Sequence, residues 1–588
     1  HPKEGEGGRT WTNQEVGALL NRIGDILDLQ GEISFKVNAY RRAADTIDHM
    51  SRALQDIWQG EAKNLREVPG IGEALSEKLD ELFRSGQMSY YEKISRDIPP
   101  GVLDFLTIPG VGPKTAARFW KELEVTDVPQ LEAALAAGKL AGMKGFSDKS
   151  QQKVLEGIAA TRRKGTRRTL ATVFPFASEV TEALTKATGR AIEQISVGGS
   201  LRRLKATIGD LDFLAASSDP DRVLDAFCKL PFVAQVLAKG GTKASVVAHN
   251  GLQMDLRVLE PARWGTALQY FTGSKEHNVT IRQLALEQGW SLNEWALTNV
   301  KTGKEVLCAT EEEVYERLGL EWIPPELREN FGEVEAARKD KLPKLIGWKD
   351  LRGDLQCHST WSDGRYSIHD MAEAARARGL HYMGLTDHSK SLGVTRGLDE
   401  KRLVEQWKEI DELNKTWKDF RVLKSTEVEI RADGTLDYDD EWLAKFDLVI
   451  ASTHSALTQP REKITARVER ALRNPYVDVF AHPTGRLLGQ REASALDMEV
   501  VFRVAKETGT ILEVDGTSDR MDLDDTHVRR ALELGLKIVV DSDAHAPAGF
   551  DDLFWGLAMA RRGWATKADV LNTLEWAELK KHLKRNKS

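Results

Sequence analysis

The chain has 588 residues, 41% of them hydrophobic and 29% charged, with a net charge of −7 and a pI near 6.1. That describes an ordinary soluble globular protein of roughly four domains. No run reaches the roughly 18 uncharged apolar residues of a membrane helix, and no signal peptide is visible. Cys228, Cys308 and Cys357 show no Cys-x-x-Cys spacing, which fits a reducing cytoplasm. The acidic balance argues mildly against nucleic acid as a partner, but whole-chain charge averages over domains.

In chain order, "HPKEGEGGRT" is Gly-rich and polar and reads as a flexible arm over 1–10. "VPGIGEALSEKLDEL" (68–82) is echoed by "IPGVGPKTAARFWKEL" (108–123), each a Pro-Gly-x-Gly turn opening an amphipathic helix. Leu75, Leu79 and Leu82 share one face. The free N–H groups and dipole at such a helix start suit an anion. Two copies at matched spacing resemble helix-hairpin-helix motifs, which grip the DNA backbone without reading sequence. Gly70, Gly72, Gly110 and Gly112 would make those contacts, and "MKGFSDKSQQKVLEGI" (143–158) reads as a degenerate third copy. "TRRKGTRR" (161–168) is either a solvated linker or a phosphate contact.

"GGSLRRLKATIGDLDFLAAS" (198–217) carries an apolar strand pattern from Ile208 to Ala216, interrupted by Asp210 and Asp212. Strand alternation puts both carboxylates on one face. Two anions about 5 Å apart repel by roughly 1–4 kcal/mol, so a cation is expected beside them. In "GLQMDLRVLE" (251–260), Gln253, Asp255 and Arg257 alternate with an apolar face. Three carboxylates on adjacent strands can hold two Mg²⁺. Gly198, Gly199 and Ser200 can cradle a phosphate with backbone N–H groups, and Arg203 supplies a cation.

Gly-Ser, then Asp-x-Asp, then a distant Asp resembles the nucleotidyltransferase superfamily. "YFTGSKEHNVTIRQLALEQGWSLNEW" (270–295) resembles the thumb of family X DNA polymerases. The resemblance implies that Asp210 and Asp212 bind both metals and Asp255 helps activate the primer 3′-oxygen. Gly199, Ser200, Arg203, Gly209 and Gly273 would serve the nucleotide. Tyr270 and Phe271 would pack on the incoming sugar, and Asn278 and Arg282 would touch the minor-groove side. "KVNAYRRAA" (36–44) resembles the family's N-terminal DNA-binding domain, with Lys36 and Tyr40 as contacts. Lys78 matches the Schiff-base lysine of members with deoxyribose-phosphate lyase activity, but Ala74 stands where those members carry another lysine.

"EVEAARKDKLPKLIGWKD" (333–350) reads as a linker. Beyond it, βα repetition argues for parallel strands in a barrel. Polar residues cluster at the strand ends in "GDLQCHSTWSDG", "MGLTDHS", "VLKSTEVEI", "LVIASTHS", "VFAHPTGR" and "IVVDSDAH". Five of the chain's 13 histidines sit there, interleaved with Asp and Glu, as a metal cluster requires. These motifs resemble the polymerase-and-histidinol-phosphatase (PHP) domain, a distorted seven-stranded barrel that binds up to three metals and hydrolyses phosphoesters. The matching ligands are His358, Asp363, His388, Glu427, His454, His482, Asp543 and His545. One position departs: Gln356-Cys357-His358 replaces His-x-His. Arg486 is placed to hold a substrate phosphate.

The expected fold is multidomain α+β and α/β: helical helix-hairpin-helix N-terminal domains, a nucleotidyltransferase palm with thumb, and a C-terminal distorted (βα)7 barrel. Boundaries fall at 11–90 (lyase-like helical domain), 91–165 (fingers-like helical domain), 166–260 (palm), 261–335 (thumb), 336–350 (linker) and 351–588 (PHP). The chain looks like a bacterial family X DNA polymerase filling short gaps in base-excision repair, with a PHP 3′–5′ exonuclease or 3′-end phosphoesterase. The alternative is an end-processing phosphoesterase that uses the polymerase core to bind DNA. The resemblance implies Mg²⁺ or Mn²⁺ at the polymerase site and Mn²⁺ and/or Zn²⁺ in the PHP domain. Partners are gapped or nicked duplex DNA and deoxynucleoside triphosphates, with no membrane; the expected state is a cytoplasmic, nucleoid-associated monomer.

Overall fold

The computed structural model describes residue 11 and residues 13–48, 54–108, 110–165 and 167–586. The expected arm over 1–10 lies outside the described residues, as do Pro109, Thr166 and the side chains of Arg162, Arg163 and Lys164 in the basic run. Among the described residues no helix is long and apolar enough to cross a membrane. The chain divides into two compact units, one built mainly from residues before Arg167 and one from residues after it.

The first unit is helical. Helices α1 (Asn13–Leu29) and α2 (Ser34–Asp48) pack with α3 (Glu73–Ser85) around Val16, Leu20, Ile23, Val37, Leu79, Leu82 and Phe83. A second core gathers Phe105, Phe119, Leu131 and Ile158 around α4 (Pro113–Leu123) and α5 (Asp148–Gly165), with Ile26 and Leu29 of α1 contributing. Gly70, Gly110 and Gly145 have φ of +87°, +84° and +90°, a region that only glycine enters cheaply. Each is followed three residues later by a helix start. The turns close alike: Ile71 N donates to Val68 O at 3.1 Å, Val111 N to Ile108 O at 3.0 Å, and Phe146 N to Met143 O at 3.2 Å. The degenerate third copy is therefore a true repeat, with Ser147 at the second glycine's place.

In the second unit, a five-stranded sheet is built from β1 (Gln194–Val197), β2 (Leu211–Ala216), β3 (Val233–Gly240), β4 (Lys243–Ala248) and β5 (Gln253–Leu259). The order is β1-β2-β5-β4-β3, with β2 and β5 parallel and the other pairs antiparallel. Met254, Leu256 and Val258 of β5 are fully buried, with partly exposed Gln253, Asp255 and Arg257 between them, as the alternation predicts. The run from Ile208 is not one strand. Thr207–Ile208 pairs with Arg168–Thr169, and the chain bends at Gly209–Asp210 before β2 begins. Asp210 is thus a loop carboxylate at the mouth of the sheet. Helices α6 (Trp264–Thr272) and α7 (Lys275–Glu287) follow, with a small sheet of Trp290–Leu292, Leu297–Asn299 and Glu305–Val306.

Seven parallel strands then run in sequential order: β6 (Gly353–Cys357), β7 (Tyr382–Leu385), β8 (Arg421–Glu429), β9 (Leu448–Ser452), β10 (Val479–Phe480), β11 (Ile511–Asp515) and β12 (Ile538–Asp541). They are buried on both faces, which is why they read as continuous apolar runs. Leu355 N donates to Asp541 Oδ1 at 2.9 Å and His358 N to Ala544 O at 2.8 Å, which draws the ends into a nearly closed barrel. The expected linker is strapped down: Glu333–Arg338 is helical, Ile346 is buried, and Ile346 N donates to Ala565 O at 2.9 Å. Helix α8 (Leu553–Arg562) of the barrel sets Phe554 5.4 Å from Phe174, on the helix beneath the palm sheet, and 4.5 Å from Trp348. Palm and barrel thus share one apolar core.

Candidate active sites

Asp212 of β2 and Asp255 of β5 are direct register partners, because the two strands are parallel and in phase. Asp210 joins them from the bend. Burial, reinforced by Asp255, raises the Asp210 carboxyl; burial and the charges of Asp255 and Asp210 push Asp212 up to about 6. Lys243 Nζ lies 3.6 Å from Asp255 Oδ2, and Gln253 Nε2 donates to Asp255 Oδ1 at 3.2 Å. Lys243, with Arg167 acting on Asp210 and Arg257 on Asp212, does not fully balance three carboxylates held this close, since both of those carboxyls stay raised. A divalent cation would, so the donor set fits the implied metals.

The glycines wall this site. A Cβ on Gly199 would meet Asp212 Oδ2 at 2.4 Å, and one on Gly198 would meet Phe271 O at 2.9 Å. Ser200 sits in the short helical turn Gly199–Arg202. Arg203 is nearly buried: its Nε donates to Glu329 Oε1 at 2.8 Å and its Nη1 to Thr272 O at 2.7 Å. Its Nη2 makes no hydrogen bond among the described residues. Gly273 gives this guanidinium room, since a Cβ there would lie 3.0 Å from Nη1. Gly209 forms the bend before Asp210, its Cβ position 3.4 Å from Arg167 Nη1. Tyr270 and Phe271 stack edge to face at 4.9 Å, with the Arg257 guanidinium 4.4 Å over Phe271. Asn278 is pinned by Gln269 Nε2 (2.8 Å) and donates to Tyr270 O (2.8 Å), while Arg282 is exposed on α7. The structure thus groups Gly199, Ser200, Arg203, Phe271 and Gly273 beside Asp212, with Arg282 linked to them by no hydrogen bond or ion pair among the described residues.

In the barrel, Glu427 is the hub. Its Oε1 lies 2.9 Å from His482 Nε2 and 3.2 Å from His454 Nε2; its Oε2 lies 3.2 Å from His388 Nδ1 and 3.4 Å from His358 Nε2. Burial opposes its charge, yet the surrounding imidazoles, led by His388 and His454, hold it well below the usual carboxylate range. His358 Nε2 also reaches Asp543 Oδ1 at 2.9 Å. Ligand atoms of His358, Asp363, His388 and His545 lie within 4.8 Å of one another. The same holds for His388, Glu427 and His454, for His358, Glu427 and Asp543, and for His482, Asp515 and Asp543. His482 Nδ1 and Asp515 Oδ2 are buried without a hydrogen-bond partner, which a bound cation would satisfy. All eight predicted ligands converge. His482 (φ +28°) and Asp543 (φ +53°) hold left-handed backbones, the strain that accumulates at such sites.

Sequence reasoning missed three residues here. Asp515 ends β11 and joins His482 and Asp543; "VDG" at a strand end was the available signal. Glu429 Oε2 accepts from His454 Nδ1 at 2.8 Å and orients that ring. The third is Arg520. Arg486, expected at a substrate phosphate, instead donates to the carbonyls of Arg520 (2.9 Å) and Met521 (2.5 Å) and so anchors a loop. That loop places the Arg520 guanidinium 3.7 Å from Asp515 Oδ2, facing the cluster. Gln356 is fully buried; with its amide oriented to suit its neighbours, its NH₂ donates to Glu513 Oε1 at 3.0 Å.

In the helical unit, Gly72 and Gly112 are the N-caps of α3 and α4, leaving the first N–H groups of both helices outward. Tyr40 stacks on Tyr90 at 6.0 Å, and Lys78 Nζ lies 4.8 Å over the same ring while donating to Ala74 O at 3.0 Å. Lys36 is partly exposed and pairs with Glu32 at 3.3 Å, which raises its pKa.

Four family models match: a helix-hairpin-helix domain over 11–88, a SAM-like helix-hairpin-helix tandem over 102–160, the DNA polymerase beta thumb over 267–329, and the PHP domain over 354–514. The tandem spans the second and third glycine turns. The DNA polymerase/3′-5′ exonuclease PolX of Bacillus subtilis (strain 168) is 38% identical over 575 residues, covering 97% of this chain and 99% of that protein. The DNA polymerase lambda of Rattus norvegicus is 27% identical over 351 residues, 54% of this chain and 56% of that protein. A protein named "Probable phosphatase" from Thermoanaerobacter sp. (strain X514) is 30% identical over 249 residues, 40% of this chain and 95% of its own length. With the three aspartates, the thumb and the imidazole barrel in one continuous match, the chain belongs to the PolX family of family X DNA polymerases fused to a PHP 3′–5′ exonuclease domain.

Proposed function

We propose that the chain fills short gaps in duplex DNA from deoxynucleoside triphosphates and trims 3′ ends in the barrel. The register pairing of Asp212 with Asp255 beside Asp210 carries the first half of this reading. Asp210, Asp212 and Asp255 would together hold two Mg²⁺ or Mn²⁺ ions, which when bound would supply charge neutralisation at the triphosphate. Ser200 and the free Nη2 of Arg203 bind the triphosphate. Tyr270 and Phe271 shape the sugar pocket, and Gln253 and Lys243 orient Asp255 toward the primer 3′-oxygen. The glycine turns of α3 and α4 hold DNA phosphates through backbone N–H groups, and Lys36 and Lys78, on either side of Tyr90, add cations. Extension on a gapped duplex should therefore exceed extension on an open primer–template at equal enzyme. Equal rates on both would overturn the gap-filling reading.

In the barrel, Glu427, His358, His388, His454, His482, Asp363, Asp515, Asp543 and His545 would hold divalent cations, which would supply charge stabilisation and an activated water for phosphoester hydrolysis. Arg520, not Arg486, holds the scissile phosphate. Gln356 replaces an imidazole with an amide whose NH₂ is held by Glu513, which leaves only a neutral carbonyl oxygen toward Asp543, so the position beside it binds metal weakly. Gln356→His should raise both metal content per protein and exonuclease rate and leave extension unchanged. Elemental analysis of the purified protein checks this. Wild-type protein already holding three metals, one of them on Gln356, would refute it.

A further inference from the structure

The triphosphate-binding arginine is not positioned by the polymerase domain alone. Glu329, the last residue of the thumb match, accepts from Arg203 Nε at 2.8 Å and from Arg562 Nη1 at 3.1 Å on the same oxygen. Arg562 ends the barrel helix α8 and is 2% exposed. Its Nη1 also donates to the backbone carbonyl of Arg203 at 2.8 Å, while Nε and Nη2 grip Asp525 Oδ2 at 2.9 and 2.6 Å. The planar fork is thus clamped by Asp525 on the barrel side and presents one amino group to the palm, which a lysine could not do. Burial works against the charge on Glu329, but Arg562 and Arg203 hold its carboxyl below the usual range. The neighbouring Arg561 ties the same helix to Glu326 at 2.9 Å.

We infer that Arg562 of the exonuclease domain, acting through Glu329, is a positioning residue for nucleotide binding at the polymerase site. Two effects act in one direction. Arg562 fixes the backbone and carboxylate on which the Arg203 guanidinium is aimed. It also shares the negative charge of Glu329, which would otherwise be left to Arg203 and Lys205 and so compete more strongly with the triphosphate for Arg203. The barrel is therefore a structural part of the nucleotide pocket without touching the nucleotide. The inference rests on the assignment of Arg203 to the triphosphate.

The test is steady-state extension on a gapped duplex by the full-length protein. Arg562→Met is expected to raise KM for the incoming nucleotide by about tenfold, with kcat at saturating nucleotide and single-strand exonuclease rate both within about twofold. Arg562→Lys should recover part of the loss. Adding Glu329→Gln to Arg562→Met should also lower KM from the single variant's value, because the competing charge is gone. An unchanged KM in Arg562→Met would overturn the inference, as would a parallel fall in kcat and exonuclease, which marks a general structural role. If Arg562→Met folds poorly, Arg562→Lys carries the same KM-against-kcat test. Arg203→Ala separates the two readings. If it leaves KM unchanged, the triphosphate assignment fails; if it raises KM while Arg562→Met does not, only the present inference fails.

Discussion

Replacing Asp212 or Asp255 with alanine is expected to cut primer extension by at least about 10³-fold, the scale seen when a key electrostatic group is removed, while exonuclease activity on single strands stays near normal. The two carboxylates are register partners, so loss of either dismantles the same cation-binding pair. DNA affinity should fall little, because under the proposed reading the glycine turns of the helical unit would supply phosphate contacts independently. Extension surviving either substitution at near-normal rate would refute the assignment. A stability signature accompanies this. Asp212 is pushed up to about 6 by burial and by Asp255 and Asp210, so without metal the fold binds its proton more tightly than the unfolded chain does. That contribution is fully present below about pH 4 and is lost as pH rises through about 6. Asp212→Asn should therefore raise Tm in EDTA at pH 8, change it little at pH 4, and shrink the stabilisation that Mg²⁺ gives. A pH-independent Tm change would contradict this.

Glu427→Gln is expected to lower exonuclease activity by at least about 10³-fold and to reduce bound metal, with extension on a gapped template spared. Among the described residues Glu427 alone touches all of His358, His388, His454 and His482, so the substitution removes a charge on which four imidazoles converge. His388→Ala and Asp543→Ala should act the same way with smaller losses of metal. Exonuclease activity persisting at full rate in Glu427→Gln would place the hydrolytic site elsewhere. Point substitutions are the right instrument here. Deleting residues 351–588 would strip Phe554 from Phe174 and expose a core shared by both domains, so lost extension in a truncated chain would report misfolding as readily as function.

The sequence by itself determined the parts whose chemistry is local. The glycine turns could be read because a positive φ leaves few residue choices, and even the degenerate third copy kept Gly145 at φ +90°. The aspartates could be read because acids are rare in an apolar strand pattern. The eight barrel residues could be read because their motifs lie at or just beyond the C-terminal ends of recognisable strands. The tertiary structure decided whatever depends on partners distant in the chain. It broke the Ile208–Ala216 run at Asp210, because Thr207–Ile208 found a separate partner in Arg168–Thr169. It made Arg486 a loop anchor, by setting its Nε and Nη2 on the carbonyls of Arg520 and Met521, and left Arg520 facing Asp515. It packed the expected linker against the barrel, where Ile346 gains burial that a free linker would forgo. Glu329 joins Arg203 and Arg562 across 126 and 233 residues of chain. No periodicity or spacing encodes that contact: a buried charge takes whatever partner the folded core brings within hydrogen-bond reach.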